Sequence, residues 1–165
     1  MQPLFKIVEK VNKLAGWLAG FCICAAAILI VAEIIIRSCF ASTLYVADEF
    51  TGYLMAASSM LGLGYVEAVH GHIRMDLVDL LREKFPKLIR SLNYIAYIAA
   101  IIVALYLTWV SYKTFDQSFA NGSRSMQISE TLLWIPQIFL PIGSALLLLQ
   151  YCVNFVLFAS GRSQK

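Results

Sequence analysis

The stretch LAGWLAGFCICAAAILIVAEIII, residues 14–36, carries one charge in 23 residues. A helix needs roughly 20 consecutive apolar residues to cross the hydrocarbon core of a bilayer. Inside lipid each backbone N–H and C=O must find a partner within its own segment, so such a run is a spanning helix. Three more runs repeat the pattern. Residues 50–69 carry a single charge, Glu67, while residues 91–112 and 131–161 carry none. The chain has 165 residues and is 60% hydrophobic, which leaves room for four spans and little else. The fold class expected is an all-α membrane protein: a single four-helix membrane domain over residues 1–165, with spans near 14–36, 48–69, 90–112 and 134–159.

Lys6, Lys10 and Lys13 before the first run resemble the basic end of a signal peptide. The run is too long for a signal core and no small-residue cleavage site ends it, so it reads as a retained helix. Basic residues are distributed unevenly. Ten of thirteen fall in the N-terminal tail, the 70–90 segment and the C-terminal tail, against Arg37, Lys113 and Arg124 in the other two loops. The positive-inside rule then places both termini in the cytoplasm. Trp17 and Tyr94 sit where an inner aromatic belt belongs; Tyr53, Trp109, Tyr112 and Trp134 sit where an outer one belongs.

The 70–90 segment is more than a loop. Ile73, Leu77, Leu80, Leu81 and Phe85 recur at helical spacing among charged residues. This predicts a short amphipathic helix over residues 72–85, lying on the membrane surface against lipid, with Pro86 ending it. Asn121-Gly122-Ser123 predicts a turn in the third loop. Pro136 and Pro141 predict an irregular lead-in to the last span, which runs straight from about Ile142 to Phe158.

Chemistry-bearing residues are sparse. Glu33 and Glu67 are the acids within the first two spans, and intramembrane acids invite a proton or cation reading. Yet Glu33 lies near an end with Arg37 four residues on, and Glu67 lies near the inner end beside the basic loop. His70 and His72 point to different sides of a helix and sit at a membrane edge, which argues against haem or metal. The four cysteines match no zinc or redox spacing. No nucleophile set, paired midplane carboxylates or phosphate loop can be assembled, so no enzyme and no resident cofactor are expected, and the charge pattern reads as topology rather than nucleic-acid binding. Gly16 and Gly20, Gly52 and Ala56, and Ser58 and Gly62 give small-xxx-small pairs that let helices approach closely.

Several segments in order carry a family resemblance: Arg37-Ser-Cys-Phe, Asp48-Glu49-Phe-Thr-Gly-Tyr-Leu, Gly62, His72-Ile73-Arg74-Met75-Asp76, Phe85-Pro86, Ile135-Pro136 and Leu140-Pro141-Ile142-Gly143. Together they resemble the small, DctQ-like membrane subunit of tripartite ATP-independent periplasmic (TRAP) transporters. The resemblance implies a bacterial inner-membrane protein that braces a large membrane subunit of about twelve spans. That partner would carry the sodium and substrate sites and move a transport domain elevator-fashion. A periplasmic substrate-binding protein would deliver an organic anion of the carboxylate or sialic-acid class. It further implies that Arg37 and Glu49 pair with each other or with partner subunits. Gly62 would permit close helix approach, and His72, Arg74 and Asp76 would orient the interfacial helix. Pro141 and Gly143 would shape the last span. The competing reading is an autonomous four-helix multidrug-type exporter, proton-coupled through Glu33.

Overall fold

A computed structural model describes residues 2–40, 43, 46–69 and 86–160. The expected interfacial helix at 72–85 lies outside the described residues, and His72, Arg74 and Asp76 lie there with it. The described residues form five helices: α1 (Gln2–Phe40), α2 (Ala47–Ala68), α3 (Pro86–Ala120), α4 (Trp134–Gln137) and α5 (Phe139–Ala159). Three stretches are long and apolar enough to cross a membrane, Phe5–Cys39, Ser91–Ala120 and Trp134–Ala159. α2 falls outside that set. Its 22 residues are long enough, but Thr51, Gly52, Ser58, Ser59, Gly62 and Gly64 lower its apolar content.

Two helices overrun their expected limits. α1 begins at Gln2 rather than near residue 14, because nothing in its charged first turns breaks a helix, and Glu9 and Lys13 pair across one turn at 3.2 Å. α3 continues past residue 112 to Ala120, since the first breaker it meets is Asn121-Gly122. There Gly122 takes φ +57°, the left-handed conformation glycine adopts without cost. The Ser123 N–H reaches the Ser118 carbonyl at 3.0 Å and the Gly122 N–H reaches Phe119 at 3.3 Å, closing the helix with a Schellman cap. At the other end Pro86 opens α3, a position where its missing N–H is not needed.

The irregular lead-in is present. α4 is a single turn containing Pro136, a break falls at Ile138, and α5 then runs unbroken for 21 residues. Pro141 sits in the first turn of α5, where a proline is tolerated. The fully buried Ser144 returns its hydroxyl to the Leu140 carbonyl at 2.9 Å.

α2 and α5 occupy the middle, with α1 packed on α2 and α3 packed on α5. Ring contacts hold α3 against the α4–α5 segment at both ends: Tyr94 on Phe158 of α5 with centroids 5.0 Å apart, and Phe119 on Trp134 of α4 at 5.6 Å. α3 therefore runs antiparallel to that segment. The core between α1 and α2 is small, built on Ala15, Ala19 and Leu61, with Phe139 and Leu146 leaning on it. Large apolar side chains instead face outward, among them Leu14, Trp17, Phe21 and Ile28 on α1 and Ile102, Val103, Tyr106 and Trp109 on α3. A protein in water would not leave that surface uncovered; in a bilayer it is the lipid-facing side.

Candidate functional site

Glycines decide where the helices touch. A Cβ at Gly143 would land on the Met60 backbone, 2.5 Å from its carbonyl carbon, so α5 and α2 meet almost backbone to backbone there. At Gly16 the Tyr65 ring fills the space a side chain would need. Gly64 is closed on one side by Asn12 and on the other by Leu146. The periodic pattern marked these seams only in part. Gly20 and Gly52 face open space, and at Gly62 an added Cβ would make an ordinary contact with Ala19 at 3.9 Å.

The tight packing carries a buried polar seam. Asn12 of α1 donates its amide N–H to Gln150 Oε1 of α5 at 2.7 Å. Gln150 Nε2 donates to Asn154 Oδ1 one turn on, at 3.1 Å. Asn154 Nδ2 donates to Glu67 Oε1 of α2 at 2.6 Å. The four residues are 0%, 5%, 5% and 4% exposed in that order. Asn12 Oδ1 has no hydrogen-bond partner and occupies the space a side chain at Gly64 would need. The sequence reading gave Glu67 a place near the basic loop; the structure adds that it is buried and bonded to an amide of another helix. Asn12, Gln150 and Asn154 were absent from the expected site residues. Gln150 and Asn154, two amides one turn apart in a charge-free run, offered the cost of their burial as a signal; Asn12, flanked by Lys10 and Lys13, offered none.

At the opposite end Glu49 is a second hub. It is buried and accepts the hydroxyls of Tyr53, one turn along α2, and of Ser129, in the loop before α4. Ser129 also meets Thr131 at 2.8 Å. Glu49 therefore ties that loop to the start of α2. Arg37 is engaged elsewhere. It forms an ion pair with Glu33 one turn back, as the i, i+4 spacing predicts. Among the described residues no ion pair joins Arg37 to Glu49. A cavity of about 390 Å³ opens beside the pair, bounded by Ile30, Ile34, Asp48 and Thr51.

Of the expected site residues, Gly143 sits at the closest helix approach and Pro141 in the first turn of α5. Glu49 is a structural hub, and Arg37 pairs within α1. Gly62 makes only ordinary contact. The four cysteines are free thiols. Among the described residues no three of His, Cys, Asp or Glu gather into a metal-binding group.

A protein-family model described as tripartite ATP-independent periplasmic transporters, DctQ component, matches residues 9–161. No curated protein matches the chain.

Proposed function

Since the chain belongs to the DctQ family, the small membrane subunits of TRAP transporters, we propose that it is the rigid brace of a sodium-coupled importer of an organic anion. The observation that carries this reading is the seam Asn12–Gln150–Asn154–Glu67. Its polar groups are used to bind α1, α2 and α5 to one another. A part that must stay still while a neighbouring transport domain moves needs such cross-links. An unsatisfied polar group in hydrocarbon costs several kcal/mol, so the seam resists being pulled open. Sodium and substrate belong on the large membrane subunit, and a periplasmic binding protein supplies the substrate.

In this reading the chain crosses the inner membrane four times, with both termini cytoplasmic. Helix directions support a crossing by α2. α2 runs parallel to α5, with Met60 at Gly143 and Glu67 at Asn154, while α1 runs antiparallel to α2 and α3 antiparallel to the α4–α5 segment, so α1 and α3 point the same way. Two spans pointing the same way require a return between them. α2 lies between them in the chain and runs antiparallel to α1, with Gly64 against Asn12 near the start of α1, Gly62 facing Ala19, and Asp48 and Thr51 beside Glu33 and Arg37 near its end. The basic asymmetry of the sequence supports the orientation.

Reconstitution tests the function. Proteoliposomes holding this chain with its large subunit, a loaded binding protein and an inward sodium gradient should accumulate substrate, while this chain alone should not. Uptake by this chain alone would sink the proposal. The exporter reading turns on the carboxylate of Glu33 beside the 390 Å³ cavity. The ion pair with Arg37 favours a structural role, so Glu33→Gln at matched assembly should leave uptake by the complex near wild type. Complete loss of transport would revive the exporter.

A further inference from the structure

Three polar groups with bonding capacity unused among the described residues converge on one cavity. It is the space of about 390 Å³ between the end of α1 and the start of α2, lined by Ile30, Ile34 and Arg37 of the first and by Asp48 and Thr51 of the second. Arg37 gives an N–H to Glu33 and uses none of its other donors among the described residues. A guanidinium has five such N–H groups. Asp48 forms no ion pair among the described residues. The Thr51 hydroxyl oxygen is buried and has no hydrogen-bond partner. A buried hydroxyl without a bond is costly, so an occupant that bonds to it stabilises the site.

The cavity sits where a bilayer changes from hydrocarbon to headgroups. From Trp17 to Arg37 α1 rises about 30 Å, the thickness of the hydrocarbon core. With Trp17 at one interface, Arg37 stands at the other. Ile30 lies about 10 Å nearer the bilayer centre than Arg37, so the lining grades from apolar to charged along the helix. Ile30 and Ile34 are 42% and 58% exposed, which continues the apolar lining into the lipid-facing surface of α1. Charge narrows the choice of occupant. Glu33 already balances Arg37, which leaves Asp48 as an uncompensated negative charge. A bare anion would be repelled by Asp48, and a bare cation would leave Arg37 and Thr51 unused. A group that carries a phosphate beside an ammonium uses all three.

We propose that this cavity holds the headgroup of a phosphatidylethanolamine molecule. Its phosphate accepts hydrogen bonds from the remaining N–H groups of Arg37 and from Thr51, whose hydroxyl reaches it by a turn about χ1. Its ammonium donates to Asp48, and an acyl chain follows Ile34 and Ile30 into the bilayer. Glu33 keeps Arg37 in place without touching the lipid. A lipid seated in this way joins α1 to α2 at the end of the molecule that the polar seam does not reach. The site requires only that the chain lie in a bilayer, so it goes beyond the transport reading and does not depend on it.

The test uses the full chain, purified in mild detergent, stripped of lipid and offered dioleoylphosphatidylethanolamine or dioleoylphosphatidylglycerol. Lipid adducts are weighed by native mass spectrometry. The wild type should retain the ethanolamine lipid at least about fivefold more tightly than the glycerol lipid. Asp48→Asn, at an exposed side chain, should abolish that preference while circular dichroism shows the same helix content. Glu33→Gln combined with Arg37→Gln leaves no carboxylate without its cation, and should retain both lipids equally weakly. Glycerophosphoethanolamine, the headgroup without its chains, should fail to displace the bound lipid. Equal retention of the two lipids by the wild type would overturn the proposal, and so would an unaltered preference in Asp48→Asn. Displacement by the soluble headgroup at matched concentration would assign the cavity to a free phosphate ester and overturn the lipid. Should the double variant fail to fold, Asp48→Asn and the soluble headgroup decide the matter without it.

Discussion

The two ends of the molecule solve one problem with different chemistry. At the end that is inner in the proposed orientation, Glu67 is held by an amide chain that crosses from α2 through α5 to α1. At the end that is outer in that orientation, Glu49 is held by hydroxyls, one from its own helix and one from a loop. Amides each carry donor and acceptor, so they can be linked in series across several helices. Hydroxyls beside a carboxylate instead converge on one point. The inner arrangement sets the register of three helices, and the outer one sets the posture of a loop. Breaking the first orphans groups that water cannot reach; breaking the second exposes groups close to water.

This contrast orders the expected effects of substitution. Gln150→Leu removes the middle of the seam and leaves Asn12 Nδ2 and Asn154 Oδ1 without partners. At about 1–3 kcal/mol for each orphaned group, a loss of about 3 kcal/mol is expected, read as a lower unfolding midpoint in detergent. A loss no larger than that of an outer-end variant would mean that the seam does not dominate. Gly64→Ala follows. Its Cβ would lie 2.5 Å from Asn12 Oδ1, so the seam must shift, at about 2 kcal/mol. Adding Asn12→Ala should remove most of that penalty, because the obstructing atom goes with it.

At the outer end Glu49→Ala should cost about 1 kcal/mol, since water replaces the lost bonds. Its signature is local. Amide exchange should quicken across residues 123–133 while the amides around Gln150 keep their protection. Exchange that quickens at both ends would couple the two regions and erase the distinction. The smallest effect belongs to Gly62→Ala, expected within about 0.5 kcal/mol because its neighbour Ala19 stands at contact distance. A large loss there would mean that α1 and α2 approach more closely than their backbones indicate.

The sequence revealed what local chemistry determines. Long apolar runs announced the helices, Asn121-Gly122-Ser123 announced the turn, the two prolines announced the broken approach to α5, and Glu33 announced its partner four residues away. The overrun of α3 was missed because residues 113–120 look like a loop by charge yet contain no breaker. The seam was missed for a different reason. Asn12 and Gln150 are 138 residues apart, and Glu67 and Asn154 are 87 apart. No periodicity within a span relates such positions. Small-residue spacing likewise finds helices able to approach closely without telling which glycine faces a neighbour, so Gly16 and Gly20 read alike while only one is covered. The resemblance implied that Arg37 and Glu49 pair with each other or with partner subunits; among the described residues Arg37 meets Glu33 and Glu49 meets Tyr53, each on its own helix.

The seam also has a mechanical consequence. α1 is pinned to α5 near one end, at Asn12, and borders an open cavity near the other, at Arg37. Between those points it is a lever about 37 Å long. A rocking of only about 3° at the pinned end would carry the tip about 2 Å, the width of that lever's swing being set by its rise per residue. Thermal motion of this helix should therefore fan outward from the Asn12 end, quiet at its root and widest at its tip.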